Sequence, residues 1–190
     1  MNEEVDAIAE LDKAAHRYAA EEKAAERMSW ARQSLLVPSR AAGNDKRTMD
    51  RFYGSLALHL GLVADWEIST GATNGKIIKY DPEFVCAQAR DSQVLGFEVH
   101  EITHVMKKDH IRMGDRDPET WNEAADYTIN GTMKEMGYDL PDGALLPMTP
   151  PHFVPKDLST EQVYDLIKDK PRDGKGGKDP GGCGGVERAG

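Results

Sequence analysis

The sequence predicts an α+β chain, mostly helical, with a small β-hairpin or sheet beside one functional helix. Three observations carry that expectation. Most of the chain places apolar residues at helical spacing. Only two short segments, within 64–68 and 76–80, alternate in the manner of strands, with Gly71, Asn74 and Gly75 between them. Just after them comes an H-E-x-x-H motif, His100-Glu101-Ile102-Thr103-His104.

Residues from about Glu3 to Leu36 are rich in Ala, Glu, Lys and Arg and contain neither proline nor glycine, which favours one or two helices. Val5, Ile8, Ala15, Tyr18, Met28, Trp30 and Leu35 supply an imperfect apolar face, so the first half reads as a solvated helix or a partner-binding arm. Pro38 to Lys46 reads as a loop, and Arg47 to Leu60 as a helix stopping near Gly61. After the expected hairpin, Asp81-Pro82-Glu83 starts a short helix whose Cys86 is expected as a small core residue.

The motif helix follows. Asp91 or Ser92 can cap it and Gly114 can end it. Leu95, Val99, Ile102 and Met106 form an apolar stripe. At ~100° per residue the stripe points away from His100 and His104, which leaves those two facing a cleft. Histidines four apart stand one turn above each other, so both can reach one metal ion. Glu101 lies beside them, placed to take a proton from a metal-bound water.

A third ligand is needed, and three candidates present themselves. His110 has the spacing of the longer pattern H-E-x-x-H-x-x-G-x-x-H, but Lys108 stands where that pattern has glycine. If the helix continues through Lys107 and Lys108, His110 points away and is a surface or supporting residue. Glu123 and Asp126 lie on the next helix, which Asp117 caps, Pro118 opens and Gly137 ends. There Trp121, Ala125, Ile129, Thr132 and Met136 make the buried stripe, and Asn122, Asp126 and Asn130 form a row along its edge. Glu123 falls toward water. Helical phase therefore favours Asp126, because a buried carboxylate is costly unless paired or metal-bound. Asn122 and Asn130 are candidates for orienting the ligands.

Leu140 to Gly143 reads as a turn, and the proline-rich run to Pro155 as irregular chain. Ser159 caps a last helix reaching Ile167. From Lys170 onward glycine dominates. The expected organisation is a helical arm and loop over 1–46, a folded domain over 47–169 and a flexible tail or linker over 170–190.

A formal charge of -9 argues against nucleic acid as a partner. No apolar run can span a bilayer, and the acidic opening is unlike a signal peptide, so no membrane is expected. Two cysteines, Cys86 and Cys183, make no disulfide framework, so the cytoplasm is the expected setting.

From about Arg51 to Val186 the chain resembles the metallopeptidase domain family of bacteria and phages that is often followed by a von Willebrand factor A-like domain. The resemblance rests on Phe52 to Ala57, Thr73 to Ile77, Tyr80 to Val85, His100 to His104, His110, Trp121-Asn122 through Asp126-Tyr127 to Asn130, Glu161 to Tyr164 and the glycine-flanked Cys183. It implies a zincin-like fold, Zn2+ held by His100 and His104, Glu101 as general base and Asp126 as third ligand. The expected activity is hydrolysis of a peptide or protein substrate, with Tyr127 and His110 as candidate donors to the oxyanion. In zinc peptidases an edge strand can hold an extended substrate, a role open to the expected hairpin. Cys183, on a glycine-rich arm, could reach back to the open zinc position, although the composition favours a free thiol in a tail. The alternative is a non-catalytic, metal-stabilised binding module acting with a von Willebrand factor A-like domain or an ATPase.

Overall fold

The computed structural model describes residues 2–38, 44–170 and 185–186. The architecture is α+β and mostly helical. Its elements in order are α1 (Asn2–Leu36), α2 (Asn44–Ala57), β1 (Gly61–Ala64), β2 (Gly71–Thr73), β3 (Ile77–Tyr80), α3 (Pro82–Ala87), α4 (Asp91–Lys107), α5 (Asp109–Arg112), α6 (Pro118–Glu135), α7 (Thr160–Ile167) and β4 (Gly185–Val186). No helix among the described residues is long and apolar enough to cross a membrane.

The strands depart from the expected hairpin. Residues 65–68 are not a strand; β1 lies earlier and runs parallel to β3, with Gly61 opposite Ile77. The antiparallel hairpin is β2–β3, and its turn holds Asn74 and Gly75, the latter at φ +86°. The spatial order is β1-β3-β2-β4, so β2 is an inner strand. Its free side, which would otherwise receive an extended peptide, pairs in parallel with β4.

One continuous helix accounts for the N-terminal region. Its second half is built into the core through Ala24, Met28, Ala31 and Leu35, against α2, α3 and α4. Four residues of the expected apolar face, Ile8, Ala15, Tyr18 and Trp30, are exposed instead. Alanine lets α1 approach its neighbours closely, and a stripe of alanines carries little hydrophobic signal.

α4 crosses the middle of the molecule. It begins after Arg90 rather than through a side-chain cap from Asp91 or Ser92; Ser92 bonds Asp139 instead. Gly96 permits the 139–140 segment to lie on the helix, since a Cβ there would stand 2.0 Å from the Asp139 carbonyl oxygen. Val99 and Ile102 enter the main core with Tyr53, Ile78, Ile129 and Met133. In α6 the inward residue near the end is Met133, while Thr132 is exposed.

Arg32 of α1 donates to Glu98 of α4 at 2.7 Å and to the Leu60 carbonyl at 2.8 Å. Glu98 is fully buried, and burial raises its pKa to about 7 despite the guanidinium. Removing the cation strands that carboxyl group. Arg32→Ala is expected to cost about 3 kcal/mol, the range for breaking one side of a buried pair, read as a lower urea midpoint. A shift below a few tenths of a kcal/mol would contradict the role.

Candidate metal centre

His100 and His104 sit one turn apart on α4, and α6 brings Asp126 against both. The two Nε2 atoms are 3.0 Å apart, and Asp126 Oδ1 lies 3.3 Å from each. All three side chains are buried at 0–1% exposure. The expected cleft is therefore closed: both faces of this stretch of α4 are covered.

Each imidazole is held from behind. His100 Nδ1 donates to Asn130 Oδ1 at 2.8 Å, one turn beyond Asp126 on α6. His104 Nδ1 donates to Asp109 Oδ2 at 3.1 Å. Partners at both Nδ1 atoms leave each Nε2 with its lone pair directed at the other and at Asp126. The Asp126 oxygens have no hydrogen-bond partner. Three electron-rich atoms thus converge in a buried site, which a proton or a cation would satisfy.

The spacing is compatible with either, since these are also ordinary hydrogen-bonded separations. Tetrahedral donors bonded at about 2.0–2.1 Å, the length typical of zinc, stand about 3.3 Å from one another. The observed 3.0, 3.3 and 3.3 Å fit that figure. The electrostatics agree in sign. Burial drives the His104 imidazole toward neutrality, but Asp109 and Asp126 outweigh it and raise its pKa to about 10. Burial keeps His100 below its ordinary value against the pull of Asp126. Asp126 stays below the usual carboxylate range because the two histidines overcome its desolvation. The pocket attracts positive charge, and a bound ion would take the place of the proton on His104.

Glu101 is also fully buried, and neither carboxylate oxygen has a partner. Burial lifts its pKa well above the ordinary value. Gly71 of β2 makes room for it: a Cβ there would lie 2.8 Å from Glu101 Oε1 and 2.5 Å from the Phe97 ring. β2 therefore forms a wall of the site. The sequence marks Gly71 only as a residue between strands, because the contact with Glu101 joins elements thirty residues apart.

Asp109 was missed for a clearer reason. The helix does not continue through Lys108; that residue takes a left-handed conformation at φ 57°, as glycine would. The chain turns back into α5, and the residue delivered to the site is Asp109. Its other oxygen meets Arg112 at 3.2 Å, and Arg112 grips Glu161 of α7 through two bonds of 2.7 and 2.6 Å. His110 packs against Gly75 at the hairpin turn and is not one of the converging donors.

The remaining candidates are placed as follows. Asn122 is half-buried one turn before Asp126. Glu123 is not directed to free solvent: it pairs with His152 at 3.0 Å. Tyr127 packs with Val154, Val163 and Ile167 between α6 and α7, where burial pushes its pKa up to about 12. Cys183 lies outside the described residues. Cys86 is half-buried, and its Sγ meets the Ala20 carbonyl oxygen at 3.5 Å.

Asp109→Asn tests the supporting carboxylate. It preserves shape but weakens the hold on His104, so metal affinity is expected to fall by roughly 10–100-fold, measured by competition with a chelator. Unchanged affinity would remove Asp109 from the site.

No significant match is found among curated proteins or among solved structures. A family model described as a putative metallopeptidase domain matches residues 39–186, a span that includes the whole His100–His104–Asp126 cluster and reaches β4. By that match over most of its length, the chain belongs to the putative metallopeptidase domain family.

Proposed function

We propose that the protein is a zinc-dependent peptidase of the cytoplasm in which His100, His104 and Asp126 hold the ion and Glu101 is the general base. The observation that carries this reading is the meeting of three correctly spaced donors with a buried carboxylate that has no other partner. A purely structural site has no use for such a carboxylate.

When bound, the ion would supply Lewis-acid polarisation of a carbonyl and lower the pKa of water toward neutrality. The protein's own residues do the rest. Asn130 and Asp109 fix the imidazole orientations. Glu101 accepts the proton of the attacking water and returns it to the leaving amine. Its raised proton affinity suits a group that must carry a proton between those two events. Gly71 and Phe97 confine the carboxylate, so proximity rather than search sets the geometry.

A second reading rests on the closure of the site. Every site side chain is at most 1% exposed, and β4 occupies the side of β2 that an extended substrate would use. A metal-stabilised binding module, acting with a partner such as a von Willebrand factor A-like domain or an ATPase, would have the same closed centre. Wild type and Glu101→Gln, compared on an unstructured protein, separate the readings. The peptidase cleaves only as wild type, with equal metal in both; a wild type inert across a broad substrate panel favours the module.

A further inference from the structure

The first half of α1 takes no part in the metal site. From Asp6 to Ala19 every side chain is exposed. The helix first meets the body near Arg17, whose guanidinium stacks 4.6 Å from the centre of the Trp66 ring, and Glu21, which accepts from Trp66 Nε1. The projecting part spans about 20 Å at 1.5 Å per residue.

This segment is not uniformly polar. Ile8, Leu11, Ala15 and Tyr18 follow one another at spacings of three, four and three, the repeat of a helix that packs along another helix. Ile8, Leu11 and Tyr18 are 56, 70 and 71% exposed. Ala7, Ala14 and Ala19 flank the stripe, so a second helix could approach closely on either side.

We propose that this stripe is a self-association surface, which pairs antiparallel with the same segment of a second copy of the chain. The charge order selects that occupant and that direction. Asp6, Glu10 and Asp12 precede any base in 6–12, whereas 13–17 carries Lys13, His16 and Arg17 without an acid. An antiparallel copy lays each acidic half beside its partner's basic half. A parallel copy would set like on like. The helix dipoles favour the same choice. Antiparallel pairing of identical segments is also self-closing, so it makes a two-fold dimer and not a fibre.

Two such stripes remove roughly 1,000 Å² from water, near the lower bound for a specific interface. The dimer is accordingly weak and concentration-dependent. It stands apart from the metal chemistry, so its failure would not bear on the peptidase reading.

Sedimentation equilibrium of the full chain tests it. Wild type should dimerise reversibly at concentrations on the order of 100 μM. Ile8→Glu combined with Leu11→Glu should weaken association at least tenfold. Both side chains face solvent in the monomer, so helix content by circular dichroism should stay unchanged. Direction is read by oxidative cross-linking against a wild-type background: Ile8→Cys mixed with Tyr18→Cys should link faster than Ile8→Cys with itself. A wild type monomeric at that concentration, a double variant that dimerises as wild type does, or preferential Ile8→Cys self-linking would each overturn the proposal.

Discussion

Glu101→Gln is expected to lower peptide hydrolysis by roughly 10²–10⁴-fold while leaving the bound metal in place. The amide keeps the size of the carboxylate, so Gly71 and Phe97 still enclose it. It removes the basic oxygen and nothing that touches the ion, since the converging donors are His100, His104 and Asp126. The informative readout is therefore the pair of measurements, turnover and metal content on the same preparation. Loss of both would mean that Glu101 holds the site together rather than moving a proton. Loss of neither would remove it from the chemistry.

The second large effect belongs to a residue with no side chain. Gly71→Ala would place a methyl 2.5 Å from the Phe97 ring and 2.8 Å from Glu101 Oε1, both inside van der Waals contact. Phe97 is fully buried, so the ring cannot swing into solvent. Either β2 moves away from α4 or the Glu101 carboxylate is displaced. Overpacking of this kind costs about 1–3 kcal/mol. A displacement of about 1 Å at a reacting group can cost on the order of 10²-fold in rate. Gly71→Ala should thus lower the thermal midpoint and lower turnover more than metal binding. A variant as stable and active as wild type would show that β2 is not a wall of the site.

Much of the centre is legible in the sequence because it lies on two periodic helices. The spacing of His100 and His104 needs only the helical repeat, and Asp126 follows from the phase of α6, where Trp121, Ala125 and Ile129 point inward. The caps at Asp117 and Ser159 were legible for the same local reason: each side chain accepts from a backbone N–H three residues on. What failed was non-local or unmarked. Lys108 adopts a conformation that sequence assigns to glycine, so the turn that delivers Asp109 to His104 carried no signal. The parallel pairing of β1 with β3 was missed because an intervening antiparallel strand, β2, is only three residues long and holds no large apolar residue. The pairing of β4 depends on chain that returns from far along the sequence. The closure of the site escaped notice because the alternation of apolar and polar residues on α4 implies one wet face. His100, Glu101 and His104 are instead covered by β2 and α6, which helical phase alone does not reveal.

The burial of so many ionisable groups has its own implication. Glu98, Glu101, Asp109 and Asp126 lie at 0–1% exposure within two neighbouring helices and the turn between them. Each unpaired charge of this kind would cost several kcal/mol. Arg32 answers Glu98, Arg112 answers Asp109, and His100 and His104, or a cation held with them, answer Asp126. A cation bound there would couple metal binding to folding and so contribute to stability.

The metal content of the purified chain, measured beside that of Asp126→Ala, addresses this coupling at its source. A single zinc ion per chain, held by two imidazoles and a carboxylate, is the expected result. Asp126→Ala should lose more affinity than the roughly 10–100-fold that removal of an orienting partner costs. A wild type that takes up no zinc, or an Asp126→Ala variant that holds it as tightly, would rule out this metal centre.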